Sequence, residues 1–113
     1  MKLDKCNQLD KIKLLVDDNF LWVDKNNKKL RISDLHSVHL LNILLMLWYY
    51  IDIKRFRKWV KRNGRGRDNM KLKYRFQAFV NVYYELNNRK DLKYPRLKIL
   101  NDLIYSFKKL NEK

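Results

Sequence analysis

The side chains with the most chemistry to offer lie between positions 54 and 75. There, eleven cations (Lys54, Arg55, Arg57, Lys58, Lys61, Arg62, Arg65, Arg67, Lys71, Lys73 and Arg75) accompany a single carboxylate, Asp68. Charge of one sign at that density repels itself unless a partner offsets it. Arginine offers a planar fork that grips phosphate through two bonds, and lysine offers a point charge. The string Asn63-Gly64-Arg65-Gly66-Arg67 breaks a helix, and glycine there lets backbone approach a ligand closely. These residues point first to a polyanion, DNA or RNA, held through its backbone, with charge rather than base sequence being read; a solvated basic face without a partner, an anionic membrane surface and an acidic protein groove are the other readings. Phe56 and Trp59 between the cations have ring faces that could stack on bases, but their spacing, continued by Val60, is that of a core-facing stripe.

Other constellations carry less. His36 and His39 stand three apart, on one side of a helix, but two ligands do not make a metal site, and no Cys, Glu or Asp falls at a spacing that completes it. His39 is expected as a packed, hydrogen-bonded residue at a hairpin-helix junction, with Asn42 one turn on bonding to backbone or to His39. Glutamate occurs only at Glu85 and Glu112, and Asp17-Asp18 lies in a polar turn. No phosphate loop, nucleophile elbow or Ser-His-Asp set can be spelled out. Asp52, next to the basic segment, is the one acid placed to serve as a nuclease metal ligand. The expectation is a non-catalytic protein without metal or cofactor. Cys6 has no cysteine to pair with and no apparent activating group, and no apolar run follows Met1-Lys2, so a reducing cytoplasmic compartment is expected.

The elements that must position the basic segment follow from composition and periodicity. The 113 residues carry a net charge of +15 and suit one domain, 1–113. The first 53 residues hold 8 basic and 7 acidic side chains and the remainder 19 and 5, so nearly all the excess belongs to the second half. At 46% hydrophobic residues the chain is too apolar for a solvated basic arm. The longest apolar run, 40–51, is interrupted by Asn42 and falls short of the roughly 18 to 20 residues a membrane span requires.

Leu9, Ile12 and Val16 give a weak helical spacing that ends at Asp17-Asp18-Asn19. Phe20–Val23 and Lys29–Ile32, joined by a polar turn rich in Asn, read as a hairpin that must pack on helices to be stable. Ser33 or Asp34 is placed to cap a long helix. That helix is apolar all round in its middle (Leu40, Leu41, Ile43, Leu44, Leu47, Trp48) and is expected to be the central element, running on past Asp52 into the basic stripe. The same all-round pattern would also suit a homodimer interface. After the glycines, Leu72, Phe76, Phe79, Val80, Tyr83 and Leu86 predict a second helix. Pro95 opens a third, with Leu97, Leu100, Leu103, Ile104, Phe107 and Leu110 on its face. The fold expected is mainly α (α+β): a small helical domain with one short hairpin and a long central helix, and a basic helix-loop segment at 54–75.

Residues 20–47 carry a further signal. Leu21-Trp22-Val23, a polar turn, Leu30-Arg31-Ile32-Ser33-Asp34-Leu35 and then His39-Leu40-Leu41-Asn42 resemble a pattern of small bacteriophage-encoded proteins, most of unassigned function. Trp22, Ile32, His39 and Asn42 are the matched positions, and Asn26-Asn27 stand where the pattern has glycine. The resemblance implies phage or prophage origin, a bacterial host cytoplasm, and a role in host takeover or counter-defence. Two functions follow as expectations. One is non-catalytic nucleic-acid binding through the basic segment. The other is an anti-CRISPR-like inhibitor that places the same face on an acidic or nucleic-acid-loaded surface of a host protein or ribonucleoprotein. A chain of this charge cannot imitate DNA, as acidic inhibitors do.

Overall fold

The computed structural model describes residues 8–66 and 68–110, so Cys6, Arg67 and Glu112 lie outside the described residues. In chain order it contains α1 (Gln8–Leu15), a hairpin of β1 (Leu21–Val23) and β2 (Lys29–Arg31), and a 3-10 turn at Ile32–Asp34. The helices α2 (Ser37–Tyr50), α3 (Ile53–Lys61), α4 (Met70–Asn88) and α5 (Arg96–Leu110) follow. The architecture is the mainly helical one expected, with a single two-stranded antiparallel sheet in register Leu21 to Arg31 and Trp22 to Leu30.

The hairpin turn is built by Asp24. Its carboxylate accepts from the backbone N–H groups of Asn26 (2.8 Å) and Lys28 (2.9 Å), and Asn27 takes the left-handed conformation at φ 62°. Asparagine tolerates that region because its short polar side chain bonds locally. Phe20 and Trp22 lie against the Tyr74 ring of α4, and the Tyr74 hydroxyl accepts from Val23 N–H (3.0 Å). Two strands that would be marginal alone are thereby fixed to the longest helix.

The apolar helix expected to run past Asp52 is in fact two. At 100° per residue, an unbroken helix would set Phe56 about 180° around from Leu47, so both could not face one core. The chain solves this at Ile51 and Asp52, which are extended (ψ 140° and 100°), and the Asp52 side chain caps α3 by accepting from Arg55 N–H (3.2 Å). Neither Ser33 nor Asp34 caps α2, because both belong to the 3-10 turn. His36 holds the capping position with extended backbone and no side-chain cap bond. Nor is α2 the most enclosed element. Leu40, Leu41, Ile43, Leu44 and Leu47 are buried, but Val38, His39, Asn42, Met46, Tyr49 and Tyr50 are exposed. The central helix is α4, where Phe76, every position from Ala78 to Tyr83, and Leu86 are buried.

The buried side chains form one cluster whose middle is aromatic. Phe56 of α3 meets Phe76 (5.5 Å between centroids), Phe79 (5.2 Å) and Phe107 of α5 (6.0 Å). Trp48 of α2 meets Phe79 and Phe107, and Tyr83 lies 5.0 Å from Phe107. Offset and edge-on ring pairs of this kind contribute about 0.5–1.5 kcal/mol each beyond their burial.

A polar clamp closes the far end of α4. Arg89, just after the helix, donates to the carbonyls of Leu35, Ser33 (3.1 Å) and Ile32 (3.5 Å), to Ser37 Oγ (3.2 Å) and to Glu85 (3.0 Å). Ser37 in turn donates to Asp91 (2.6 Å), a bond that holds the Asp91 carboxyl below its ordinary pKa. The guanidinium therefore satisfies carbonyls of the 3-10 turn and of Leu35 and ties that segment to the end of α4. Arg89→Lys, which keeps the charge and loses the fork, is expected to cost about 2 kcal/mol in chemical denaturation.

Burial pushes the Tyr83 phenol above its ordinary 10, and among the described residues its buried hydroxyl has no hydrogen-bond partner. A raised pKa in the fold means that this contribution to stability is complete below pH 10 and is lost as pH rises beyond it. Tyr83→Phe is expected to unfold at the same denaturant concentration as the parent, or up to about 1 kcal/mol later, at neutral pH, and to lose part of the alkaline sensitivity.

Candidate nucleic-acid interface

The sequence of α3 divides its surface in two. Lys54, Arg55, Lys58 and Lys61 fall within about 120° of arc at 100° per residue, and Phe56, Trp59 and Val60 occupy the opposite side. The structure matches that division: the four cations are exposed, and the three apolar residues are each only 1% exposed. Phe56 and Trp59 are thus ring partners of Phe76 and Phe79, with no face left for bases.

The helix ends in a tight reversal. Asn63 N–H bonds to Val60 O (3.0 Å) and Gly64 N–H to Trp59 O (2.9 Å), with Asn63 at φ 57° and Gly64 at φ 79°. This double bond closes the last turn and frees the chain to leave sideways. A Cβ on Gly64 would also stand 3.1 Å from Leu15 of α1, so the reversal is packed as well as turned.

Arg62 does something other than await phosphate. Its Nε donates to Arg65 O (2.8 Å) and its terminal nitrogen pairs with Asp68 at 3.1 Å, which folds the side chain over the loop. A Cβ at Gly66 would come within 2.5 Å of that guanidinium. The second glycine therefore makes room for Arg62, and the carboxylate of the basic segment is spent on the loop's own shape.

The remaining cations are distributed. Arg65 and Lys71 are exposed, Arg57, Lys73 and Arg75 are half-buried, and Arg67 is outside the described residues. The structure brings Lys54, Arg55, Lys58 and Lys61 together on one helix face; Arg57 lies on the same helix off that face, Arg62 and Arg65 belong to the loop, and Lys71, Lys73 and Arg75 to the first turns of α4. Arg55 lies 3.6 Å from Asp52, an exposed pair of small energetic weight.

Other sequence candidates come apart. His39 and Asn42 do sit at the joint of hairpin and helix, but both are exposed rather than packed, since the helix face that meets the core carries Leu40, Leu41, Ile43 and Leu44. His36 precedes α2 in extended conformation, so the two imidazoles do not share a helix face. Among the described residues no group of three His, Cys, Asp or Glu could hold a metal ion. Asp52 is occupied as a helix cap. Asn81, which sequence reading passed over, is the buried polar residue of α4: it accepts from Asp17 N–H (3.0 Å) and donates to Gln77 O (2.7 Å), tying the exit of α1 to the central helix. Its signal was a lone Asn inside an apolar run. No described helix is long and apolar enough to cross a membrane.

Comparison of the chain with protein families, with curated proteins and with solved structures returned no match.

The cationic face strains its own helix. Lys54 and Lys58, Arg55 and Lys58, and Lys58 and Lys61 are like charges three or four residues apart on that face, each pair unfavourable by about 0.2–0.5 kcal/mol at low salt. Replacing one by glutamate turns repulsion into attraction. Lys54→Glu, in the first turn of α3 and four residues before Lys58, is expected to raise stability by about 0.5–1 kcal/mol in low-salt denaturation, with the gain shrinking as salt is added.

Proposed function

We propose that this protein binds nucleic acid through the phosphate backbone, without catalysing a reaction on it, and serves as an accessory factor of phage or prophage origin. The observation that supports the reading most is the two-sided α3. Its inner residues are locked into the aromatic core, so its outer cations are presented on a rigid surface rather than on a floppy tail. Cations on a fixed element lose less conformational freedom on meeting phosphates than cations on a disordered arm. The like-charge repulsion along that face is relieved when phosphates replace the facing solvent, so the partner recovers what the free protein gives up.

Non-catalytic binding is favoured because the acids nearest the basic face have structural work. Asp52 caps α3 and Asp68 holds Arg62. The resemblance of residues 20–47 to small phage proteins supplies the origin, and a bacterial host cytoplasm goes with it.

The test is a salt titration of binding to labelled DNA and RNA. With Lys54, Arg55, Lys58 and Lys61 all changed to Gln, the slope of log affinity against log salt should become shallower by about 3 to 4, the signature of four lost phosphate contacts. Parent and variant with the same slope, or no binding by the parent near physiological salt, would remove the reading. In the second case the anti-CRISPR-like role would become the one to pursue, with the same face against an acidic host protein.

A further inference from the structure

The outward face of α2 is unusual for a surface. His39, Asn42, Met46, Tyr49 and Tyr50 fall within about 100° of arc on it. They form a stripe about 16 Å long at 1.5 Å per residue. All five are exposed, Tyr49 by 80% and Tyr50 by 67%. The two tyrosine rings lie edge to face, centroids 5.0 Å apart, and belong to no part of the core.

The stripe has distinct ends. At the hairpin end Trp22 closes a groove of about 370 Å³ with His39, Asn42 and Met46. At the other end only Ile51 and Asp52 separate Tyr50 from α3, whose exposed face starts with Lys54 and Arg55. From Tyr50 to Lys54 the chain can span at most roughly 14 Å. Aromatic and amide chemistry therefore runs along one helix and gives way to cations at the start of the next.

We propose that this stripe is a track for the unpaired bases of a single-stranded polynucleotide whose phosphates continue onto the outer face of α3. The inference rests on the polyanion reading above and adds to it the substrate class. Tyrosine rings can stack on base faces only where those faces are uncovered, which a duplex does not allow and a single strand does. The Asn42 amide and His39 imidazole offer donors and acceptors to a base edge, and they line an open, mostly apolar groove beside Trp22. Charge disfavours the obvious competitor, since a second copy of the chain would bring a net charge of +15 against +15.

The experiment measures fluorescence anisotropy with three labelled probes, each of about fifteen nucleotides or base pairs: an oligothymidine, an oligouridine and a mixed-sequence DNA duplex. The proteins are the parent, the double variant Tyr49→Ser/Tyr50→Ser and the double variant Tyr49→Phe/Tyr50→Phe, with thermal melts to show that all three fold alike. The serine variant should lose affinity for the single strands by about tenfold or more while its duplex affinity changes little, and the phenylalanine variant should keep the parent's affinity. The relative affinity of the thymidine and uridine strands tells DNA from RNA. Single-strand binding unchanged by the serine pair, or reduced in the same proportion as duplex binding, would overturn the track while leaving the polyanion reading intact. Failure of the parent to bind any probe would instead remove the polyanion reading, and the track with it. A parent that sediments as a dimer, dissociated by the serine pair, would make the stripe a self-association surface and overturn the proposal.

Discussion

The ring of Phe56 is where this structure is decided. It projects from a nine-residue helix whose outer side is almost wholly cationic, and it reaches Phe76, Phe79 and Phe107 on two other helices. Without that contact, α3 would have little reason to exist: a short helix is marginal in water, and one crowded with like charges is worse. Burial of Phe56, Trp59 and Val60 at about 1.5–3 kcal/mol each exceeds the repulsion among the neighbouring cations, which totals about 0.6–1.5 kcal/mol. The aromatic interior is thus the reason a cationic exterior can be held in a fixed shape.

The same requirement explains the break between α2 and α3. Leucines on α2 and Phe56 on α3 must face one core, and helical phase forbids it across an unbroken segment. Two extended residues reset the phase, and the aspartate among them satisfies the new helix start. At the opposite end of α4, Arg89 holds the 3-10 turn and Leu35 in place from the other side of the hydrogen bond, donating to their carbonyls. The molecule spends a cation as a structural donor there and again at Arg62, so a count of positive side chains overstates the number that face a ligand.

Much of this was legible in the sequence because it depends on periodicity. The hairpin, the glycine break, the faces of α4 and α5 and the inward course of Phe56, Trp59 and Val60 all follow from spacing. The parts that were not legible depend on distant partners. Arg89 reads as one more basic residue until the carbonyls of Ile32, Ser33 and Leu35 are beside it, 54 to 57 residues away in sequence. The expected helix cap failed because Ser33 and Asp34 are drawn into the 3-10 turn, which leaves His36 at the capping position of α2. His39 and Asn42 were misjudged as packed because every neighbour in sequence is apolar. The break at Asp52 was available in principle, from the phase of Leu47 against Phe56, but a run of helix-compatible residues conceals it unless the angle is worked out.

Two kinds of surface meet at that break. On α3 the outer face is charged, and charge attracts a polyanion from a distance without regard to whether its bases are paired. On α2 the outer face carries rings and amides, which act only at contact and only on exposed base surface. A face of the first kind alone would hold duplex and single strand through similar contacts. A face of the second kind alone would lack the long-range attraction that brings the partner in. They are adjacent along the chain: Ile51 and Asp52, the two residues of the phase reset, are all that separates the exposed Tyr50 from α3 with its exposed Lys54 and Arg55. The packing of the two helices, and the order in which their outer faces follow one another along the chain, therefore depend on the same two residues.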